Sequence, residues 1–571
     1  MNSRYPRTEI IAYLLAFLLA LGLRLILLGQ LPLTDSEAAL ALQALKIAQG
    51  EPTSLSSPVA YVNLTAVLFF VFGSFNFLAR LVPALVGSAL VFAPALFRGW
   101  LRPRAMIILA FFLAIDPGLV ALSRQVGSPI LAVTFSAFAV GLWLQKKPRL
   151  AGVFAALALL SGPAFWAGLL GVLLAWMISH FLTGSPVEAG TQGETEPAPR
   201  NTKYSLSITN YQLPISAIIT ILLASSLFLL VPHGLGAWLT ALPDYLRGWV
   251  TPSAVPSSRL YIALGVYQLL GLVWAVIAIV RGWLTGSAKI IRLSLWMLVA
   301  LLLASFYPAR QTADLAWTLL PLWTLAALEF SHHLTVSRED RLETAGVIVF
   351  TLLLLGFIWM DFIAMYFTPI TTAEGQLRLG LLVGALVLLI ISVTLVAYGW
   401  SERIARVGSA WGVIIILGLY TLGSAWGASG LRNPKAVELW DAGMSIAQAD
   451  LLTQTANQVS EWATGQADDL PVTIYGVDSP ALLWALRHRQ VEVVLALDPA
   501  SAPSLVITPP QQDLQLASAY RGQDFSWRQS PVWESFPSFT LQWLTLRELP
   551  TQSETIILWA RNDLFIDARK P

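Results

Sequence analysis

Apolar and polar positions alternate along this chain on a long scale. Runs near the roughly 20 apolar residues that cross a bilayer recur from Ile10 to Gly427, parted by short polar joints. The pattern predicts a polytopic α-helical membrane protein of about thirteen spans. They are expected near 10–31, 77–97, 105–122, 129–145, 150–162, 164–182, 208–231, 259–284, 293–306, 314–333, 343–363, 377–400 and 409–427. The run "VAYVNLTAVLFFVFG" (59–73) is apolar but short, and reads as a juxtamembrane or re-entrant element. The stretch 150–182 divides in two at "SGP" (161–163). From about residue 428 the pattern changes. A long helical periodicity over 436–464 precedes "PVTIYG", "SPALLWALRHR", "VEVVLA" and "SLVIT", with "TIILWAR" (555–561) as a late strand. Short β-branched runs alternating with a helix predict a small α/β unit. The chain thus divides into a membrane domain, 1–427, whose loop 32–76 carries juxtamembrane helices, and a soluble α/β domain, 428–571.

Charge orients this arrangement. Only 12% of the 571 residues are charged, about half the share in a soluble domain, and 56% are hydrophobic. Lysine and arginine favour cytoplasmic loops. Clusters at Arg98/Arg102/Arg104, Lys146/Lys147/Arg149, Arg281/Lys289/Arg292, Arg338/Arg341 and Arg403/Arg406 all fall inside if the N-terminus is cytoplasmic and the α/β domain external. Counting 59–73 as a span breaks this agreement. The expected location is the plasma membrane, multi-pass. Residues 183–206, rich in Gly, Pro, Thr and Glu, read as a flexible cytoplasmic loop. The basic N-terminus (Arg4, Arg7) precedes a long run without a small-residue cleavage site, so it reads as a retained span. The chain has no cysteine, which excludes disulfides, a thiolate nucleophile and cysteine-held metal. The net charge of +2 says little about partners beyond membrane lipids, and no nucleic acid is expected.

Acids against the membrane change the picture. In "LPLTDSEAALALQALKIAQGEP" (31–52), Asp35 and Glu37 open an amphipathic helix with Ala38, Ala41, Leu42, Leu45 and Ala48 on one face. Thr34 followed three residues later by Glu37 forms a capping box, and Asp35 suits the helix dipole. That structural reading describes a helix lying in the membrane interface. Asp116, in "AIDPG", is an intramembrane acid, and thus a functional candidate. The structural reading is preferred to it: an ion-pair partner of Arg124, or the group satisfying a kink at Pro117. Arg24 reads as snorkelling to the interface or touching a lipid phosphate. Arg80, Arg259 and Arg378 stand at span starts as interface anchors. Arg247 lies with His233, Asp244 and Tyr245 on an external loop placed to cover a site.

The acidic turn, "FGSFNFLARLVPALVGSALVFAPALF" (72–97), "ALSRQVGSP" (121–129) and "DSPALLWALRHRQVEVV" (478–494), in that order, resemble the GT-C superfamily of membrane glycosyltransferases. Within it the chain looks most like the dolichyl-phosphate-mannose protein mannosyltransferase-like group and archaeal-type relatives in lipid-linked sugar transfer. The likeness covers the first 180 residues well and the middle by architecture. It implies transfer of a sugar from a polyprenyl-phosphate carrier to an acceptor on the external face. A first-loop carboxylate, Asp35 or Glu37, acts as base or orients the acceptor. Arginines of nearby loops, Arg124 and Arg310, hold the departing phosphate, with Asp116 and Arg247 as auxiliaries. A base must accept the acceptor's proton, and a planar guanidinium fork suits phosphate oxygens.

The chain departs from that pattern twice. Ser36 separates two acids that are adjacent in the family, leaving either as the functional one, with Asp35 slightly favoured. "SRQVGSPI" lacks the second-loop acid, which argues against a divalent metal site, and no other cofactor is implied. There is no Walker loop, dinucleotide fingerprint, H-E-x-x-H or nucleophile elbow. Two other classes stay open: a transporter or flippase for lipid-linked glycans, and a non-catalytic scaffold. Sugar and acceptor (protein, lipid or glycan) are not specified by the sequence.

Overall fold

The computed structural model describes residues 7–183, 211–232, 234–333, 340–368, 371–432, 437–441, 444–511, 514–533 and 536–565. His233 and nearly all of the expected cytoplasmic loop lie outside the described residues. Among the described residues, six helical stretches are long and apolar enough to cross a membrane, or eight when each bent pair is one span. Four shorter apolar helices, Val59–Phe72, Ile130–Leu144, Pro148–Leu159 and Gln212–Ser225, complete the set. Three of them stand where spans are expected, but with 12 to 15 residues each they are shorter than a bilayer crossing, so the count of thirteen is not reached by length. The chain is a membrane-embedded, multi-pass helical protein with a C-terminal sheet domain.

One bend shows how sequence sets backbone. The helices Pro103–Ile115 and Pro117–Ser123 meet at 57°. Pro117 has no N–H to continue the first helix, and it fits the first turn of the second. Asp116 caps the second helix, accepting from the Leu119 N–H at 2.5 Å and from the Trp323 indole at 2.6 Å. The carbonyls of Leu113 and Ala114, freed by the break, receive the Arg24 guanidinium at 3.2 and 3.0 Å, while its Nε donates to Ser123 at 3.0 Å. Arg24 is fully buried, so it neither snorkels nor meets lipid. Asp116 serves the kink; neither of its hydrogen bonds involves Arg124.

Small residues let elements close in. A Cβ on Gly87 would stand 2.0 Å from Ser123 Oγ, and one on Gly118 would stand 2.6 Å from the Trp440 ring. Trp440 belongs to the segment joining the last membrane helix, Glu402–Ala428, to the sheet domain, and it is buried among the membrane helices.

Among the described residues six strands form one sheet: β1 (Ser445–Ile446), β2 (Val472–Tyr475), β3 (Val491–Val494), β4 (Leu505–Thr508), β5 (Tyr520–Pro531) and β6 (Thr551–Arg561). The order is β1-β5-β6-β4-β2-β3, with β2 parallel to β3 and β4, and antiparallel pairing elsewhere. The helix expected over 436–464 is Ala449–Thr464 alone. The described residues before it, 437–441 and 444–448, form an anchored segment and β1, because backbone N–H groups of Val437, Ala447 and Gln448 pair with Arg547, Trp527 and Ser526. Within the segment only a single turn, Asp441 N–H to the Glu438 carbonyl, forms among the described residues. One buried apolar cluster runs from the membrane helices (Leu119, Trp323) through Trp440 into the sheet domain (Phe525, Trp527).

Candidate functional site

The acidic turn folds as its local pattern dictates. Thr34 caps the helix Asp35–Ala48 and the capping box with Glu37 is complete. The buried face is Glu37, Ala38, Ala41 and Ala44, rotated from the face expected, because Glu37 itself turns inward. Arg80 meets it there through Nε at 3.0 Å and Nη2 at 2.5 Å, a two-point carboxylate–guanidinium pair. The remaining Arg80 protons go to the carbonyls of Leu31 and Pro32, at 2.7 and 3.0 Å. Arg80 is therefore a buried partner of the first loop and not an interface anchor. Glu37 also accepts from the N–H groups of Thr34 and Val126, each at 3.1 Å. Burial works to raise its pKa. The field and hydrogen bonds of Arg80, with the two N–H groups, outweigh this and hold it below the ordinary carboxyl range.

Asp35 points the other way, into the sheet domain. Its Oδ1 accepts from Ser479 Oγ at 2.5 Å and from the Ala481 N–H at 3.0 Å, at the first turn of the helix Pro480–Ala485. Its Oδ2 receives Arg528 Nε, on β5, at 2.7 Å. Both oxygens thus fasten the first loop to the sheet domain. Trp484 donating to Asn76 at 2.7 Å and Arg487 donating to the Ser74 carbonyl extend this seam.

On the Glu37 side lies a cavity of about 320 Å³, walled by Glu37, Arg80, Arg124, Glu438, Asp441 and Gln529 among others. Leu27, Leu28 and Leu31 form its apolar side, and Leu27 is 55% exposed on the bundle surface. Leu27 adopts φ +52°, a left-handed conformation that turns the chain away from the first helix. The carbonyls of Leu23, Arg24 and Ile26 are left pointing at Arg124, whose Nη1 donates to them at 3.2, 2.9 and 2.9 Å. Among the described residues no partner engages Arg124 Nε or Nη2. That edge is the one a guanidinium uses to grip two oxygens of a phosphate.

The sequence candidates thus separate. Glu37 and Arg124 share the cavity. Arg310 does not line it: its Nε donates to the Tyr307 carbonyl at 3.1 Å and Nη1 to the Val255 carbonyl at 3.2 Å, holding its own loop. Arg247 is exposed and pairs with Asp244 at 3.3 Å. Asp116 is sealed in its kink. Sequence reasoning missed Glu438 and Asp441. Their signal was "VELWD" (437–441), two acids three apart around an apolar pair, just after the last span. Read as part of a helix, that spacing had no direction toward the membrane. A larger cavity of about 470 Å³ lies beyond the shared wall of Pro32 and Ile446. Its arginines are engaged: Arg487 by Ser74 and Trp484, Arg489 by Leu470, Ala467 and Asn457. Among the described residues, no three His, Asp or Glu side chains gather to hold a metal ion.

The fold, with its broken spans, first-loop helix and C-terminal sheet domain, is similar to that of a solved membrane protein. The chain superposes on the crystal structure of ArnT from Cupriavidus metallidurans bound to undecaprenyl phosphate with a TM-score of 0.53, over 98% of this chain and 99% of that one, at 11% identity. The apo ArnT structure matches equally, at 0.53 over 96% and 98%. An oligosaccharyltransferase from Archaeoglobus fulgidus is a more distant likeness, with a TM-score of 0.43 over 85% of this chain and 64% of that one, at 14% identity. No family model and no curated protein matches the sequence. At these identities the likeness is one of fold.

Proposed function

We propose that the chain is a glycosyltransferase that takes a sugar from a polyprenyl-phosphate carrier and passes it to an acceptor hydroxyl on the external face of the plasma membrane. The observation that carries this reading is the available edge of Arg124 in a cavity that is acidic on one wall and open to apolar surface on another. A lipid-linked sugar needs these three features together. The prenyl chain runs along the exposed Leu27 side, the phosphate meets Arg124, and the sugar points at the carboxylates. The cavity lies within the roughly 300–1,000 Å³ of small-molecule sites. The ArnT fold, seen with undecaprenyl phosphate in ArnT itself, supports the same class of donor. In this reading Glu37 neutralises Arg80 and frames the site, leaving Arg124 as the cation for the leaving phosphate. Asp35 fastens the domains. Residues 1–427 form the membrane domain and 428–571 the external domain, so a reporter active only in the cytoplasm is silent when fused after Pro571.

The test is binding of undecaprenyl phosphate to the purified protein in lipid, followed by turnover with a polyprenyl-phosphate sugar or a nucleotide sugar as sole donor. A charge-assisted contact of about 1.5–3 kcal/mol makes Arg124→Ala bind roughly 10- to 100-fold more weakly. Arg124→Lys recovers only part, because a point charge lacks the fork. Transfer from the nucleotide sugar alone, or undiminished lipid-phosphate binding by Arg124→Ala, overturns the reading.

A further inference from the structure

The segment 437–441 is held on all sides. Val437 donates to the Arg547 carbonyl at 2.9 Å and its own carbonyl receives the Trp543 indole at 2.8 Å. The Leu439 N–H donates to the Tyr267 hydroxyl at 3.2 Å, and the Leu439 carbonyl receives Arg259 at 3.3 Å. The Trp440 carbonyl receives Gln125 Nε2 at 2.7 Å, from the residue next to Arg124. Both Leu439 and Trp440 are buried. A segment pinned at five points presents its side chains in fixed directions. Glu438 goes to the cavity wall, where it is 5% exposed. Its Oε2 accepts the Tyr267 hydroxyl proton. Its Oε1 stands over Gly427, another cavity-lining residue, where a Cβ would come within 2.7 Å. No described hydrogen bond engages Oε1. Glu37, by contrast, has both oxygens engaged by Arg80 and two N–H groups.

We infer that Glu438 is the proton acceptor of the transfer reaction, oriented by Tyr267 and facing the donor phosphate held at Arg124. The inference rests on the function proposed above. The acceptor's O–H proton passes to Glu438 Oε1 as its oxygen bonds to the anomeric carbon. The bond from that carbon to the phosphate oxygen breaks, and its electron pair leaves with the polyprenyl phosphate. Glu438 then returns the proton to water. The electrostatics agree with this role. Burial pushes the Glu438 carboxyl up, against the pull of Arg547, the Tyr267 hydrogen bond and Arg432, with Asp441 adding to the rise, to about 7. Arg259 stands behind the segment, and Glu37, Arg80 and Arg124 share the cavity. A base that is part ionised at neutral pH balances availability against proton affinity.

The experiment measures undecaprenyl phosphate released from undecaprenyl-phosphate hexoses and pentoses, with cell-envelope membranes as the acceptor source, as a function of pH. Glu438→Gln should release it at least ~100-fold more slowly. It should still bind undecaprenyl phosphate, at least as tightly as the unaltered protein because a negative charge facing the phosphate is gone, and this binding also reports folding. The unaltered protein should show a rising limb centred near 7. Tyr267→Phe should move that limb to higher pH, because the hydroxyl favours the ionised carboxylate. If Glu438→Gln keeps full rate and the same limb while Arg124→Ala is inactive, the inference falls and the lipid-donor reading stands. If the unaltered protein releases nothing from any lipid donor, both fall.

Discussion

The turn 34–37 and the segment 437–441 each carry two acids into the junction between membrane helices and sheet, yet they use them in opposite ways. In the turn, every carboxylate oxygen has a partner: Glu37 with Arg80, Thr34 and Val126, Asp35 with Ser479, Ala481 and Arg528. In the segment, the backbone is fastened and one Glu438 oxygen is left toward the cavity. An acid placed by a motif is not thereby an available base. What decides is how many protons its oxygens already accept. Glu37, with both oxygens engaged by Arg80 and two N–H groups, is held ionised and has little capacity left to take a proton at neutral pH.

The largest expected effect comes from breaking the turn. Arg80→Met leaves Glu37 buried without its cation, which costs on the order of 3–5 kcal/mol. Thermal unfolding in detergent should show this as a marked loss. The double variant Arg80→Met with Glu37→Met should recover part of it, since the uncompensated charge is gone while the Leu31 and Pro32 carbonyls still lack their donor. A loss no greater than that of a surface substitution would mean that the turn is not built around this pair.

Next in size is a difference of sign. Glu37 is held below the ordinary value of 4.5, so its stabilisation is fully present above that value and is lost as pH falls through the lower folded-state pKa. Glu438 is raised from 4.5 to about 7. The folded state therefore binds its proton more readily, and that stabilisation is present below 4.5 and lost as pH rises through about 7. At 1.36 kcal/mol per pKa unit, the loss is on the order of 3 kcal/mol. Stability measured against pH should fall between about 4.5 and 7 in the unaltered protein, and Glu438→Gln should flatten that descent. Glu37→Gln should leave the descent and remove the acid limb below it.

These contrasts also mark what the sequence could convey. The capping box at Thr34 and Glu37 was legible because its partners are three residues apart. The kink at Asp116–Pro117 was legible for the same reason. The Arg80 partnership was not, since 43 residues separate it from Glu37 and a span-start arginine has a simpler explanation at the interface. Strand β5, "YRGQDFSWRQSP", escaped notice because only Phe525 and Trp527 on it are buried, and its other positions read as loop. Glu438 escaped because a helical periodicity was extended across a segment whose direction is set by Tyr267, Arg547 and Gln125, all distant in the chain.

Asp35 gives a smaller effect that sharpens the comparison. Its pair with Arg528 is partly exposed, with side chains 26% and 22% accessible, so a double-mutant cycle on Asp35→Asn and Arg528→Gln should yield a coupling of about 1 kcal/mol or less. Undecaprenyl-phosphate binding should be retained by Asp35→Asn, because Asp35 stands outside the cavity wall. Should Asp35→Asn abolish release while Glu438→Gln does not, the roles given to the two regions are reversed.

The smallest effect belongs to Arg247. The sequence placed it on a loop able to cover a site. The structure sets it at the end of the short helix Ala241–Arg247, 77% exposed, with Asp244 one turn back at 3.3 Å. An exposed pair at this spacing gains little Coulomb energy in water, loses side-chain freedom on forming, and is screened by salt. Arg124, in contrast, loses hydration on burial and compensates through three carbonyls, which fixes its remaining edge in one direction. Cations of equal formal charge therefore differ in what they can do for an anion: the fixed one selects a position, the mobile one only raises the local potential. Arg247→Ala should change unfolding by less than about 0.5 kcal/mol and leave undecaprenyl-phosphate binding within twofold of the unaltered protein. A tenfold loss of binding, persisting at 0.5 M salt where surface potentials are screened, would show that this loop closes over the donor and that the cavity described by Arg124 and Glu438 is only part of the site.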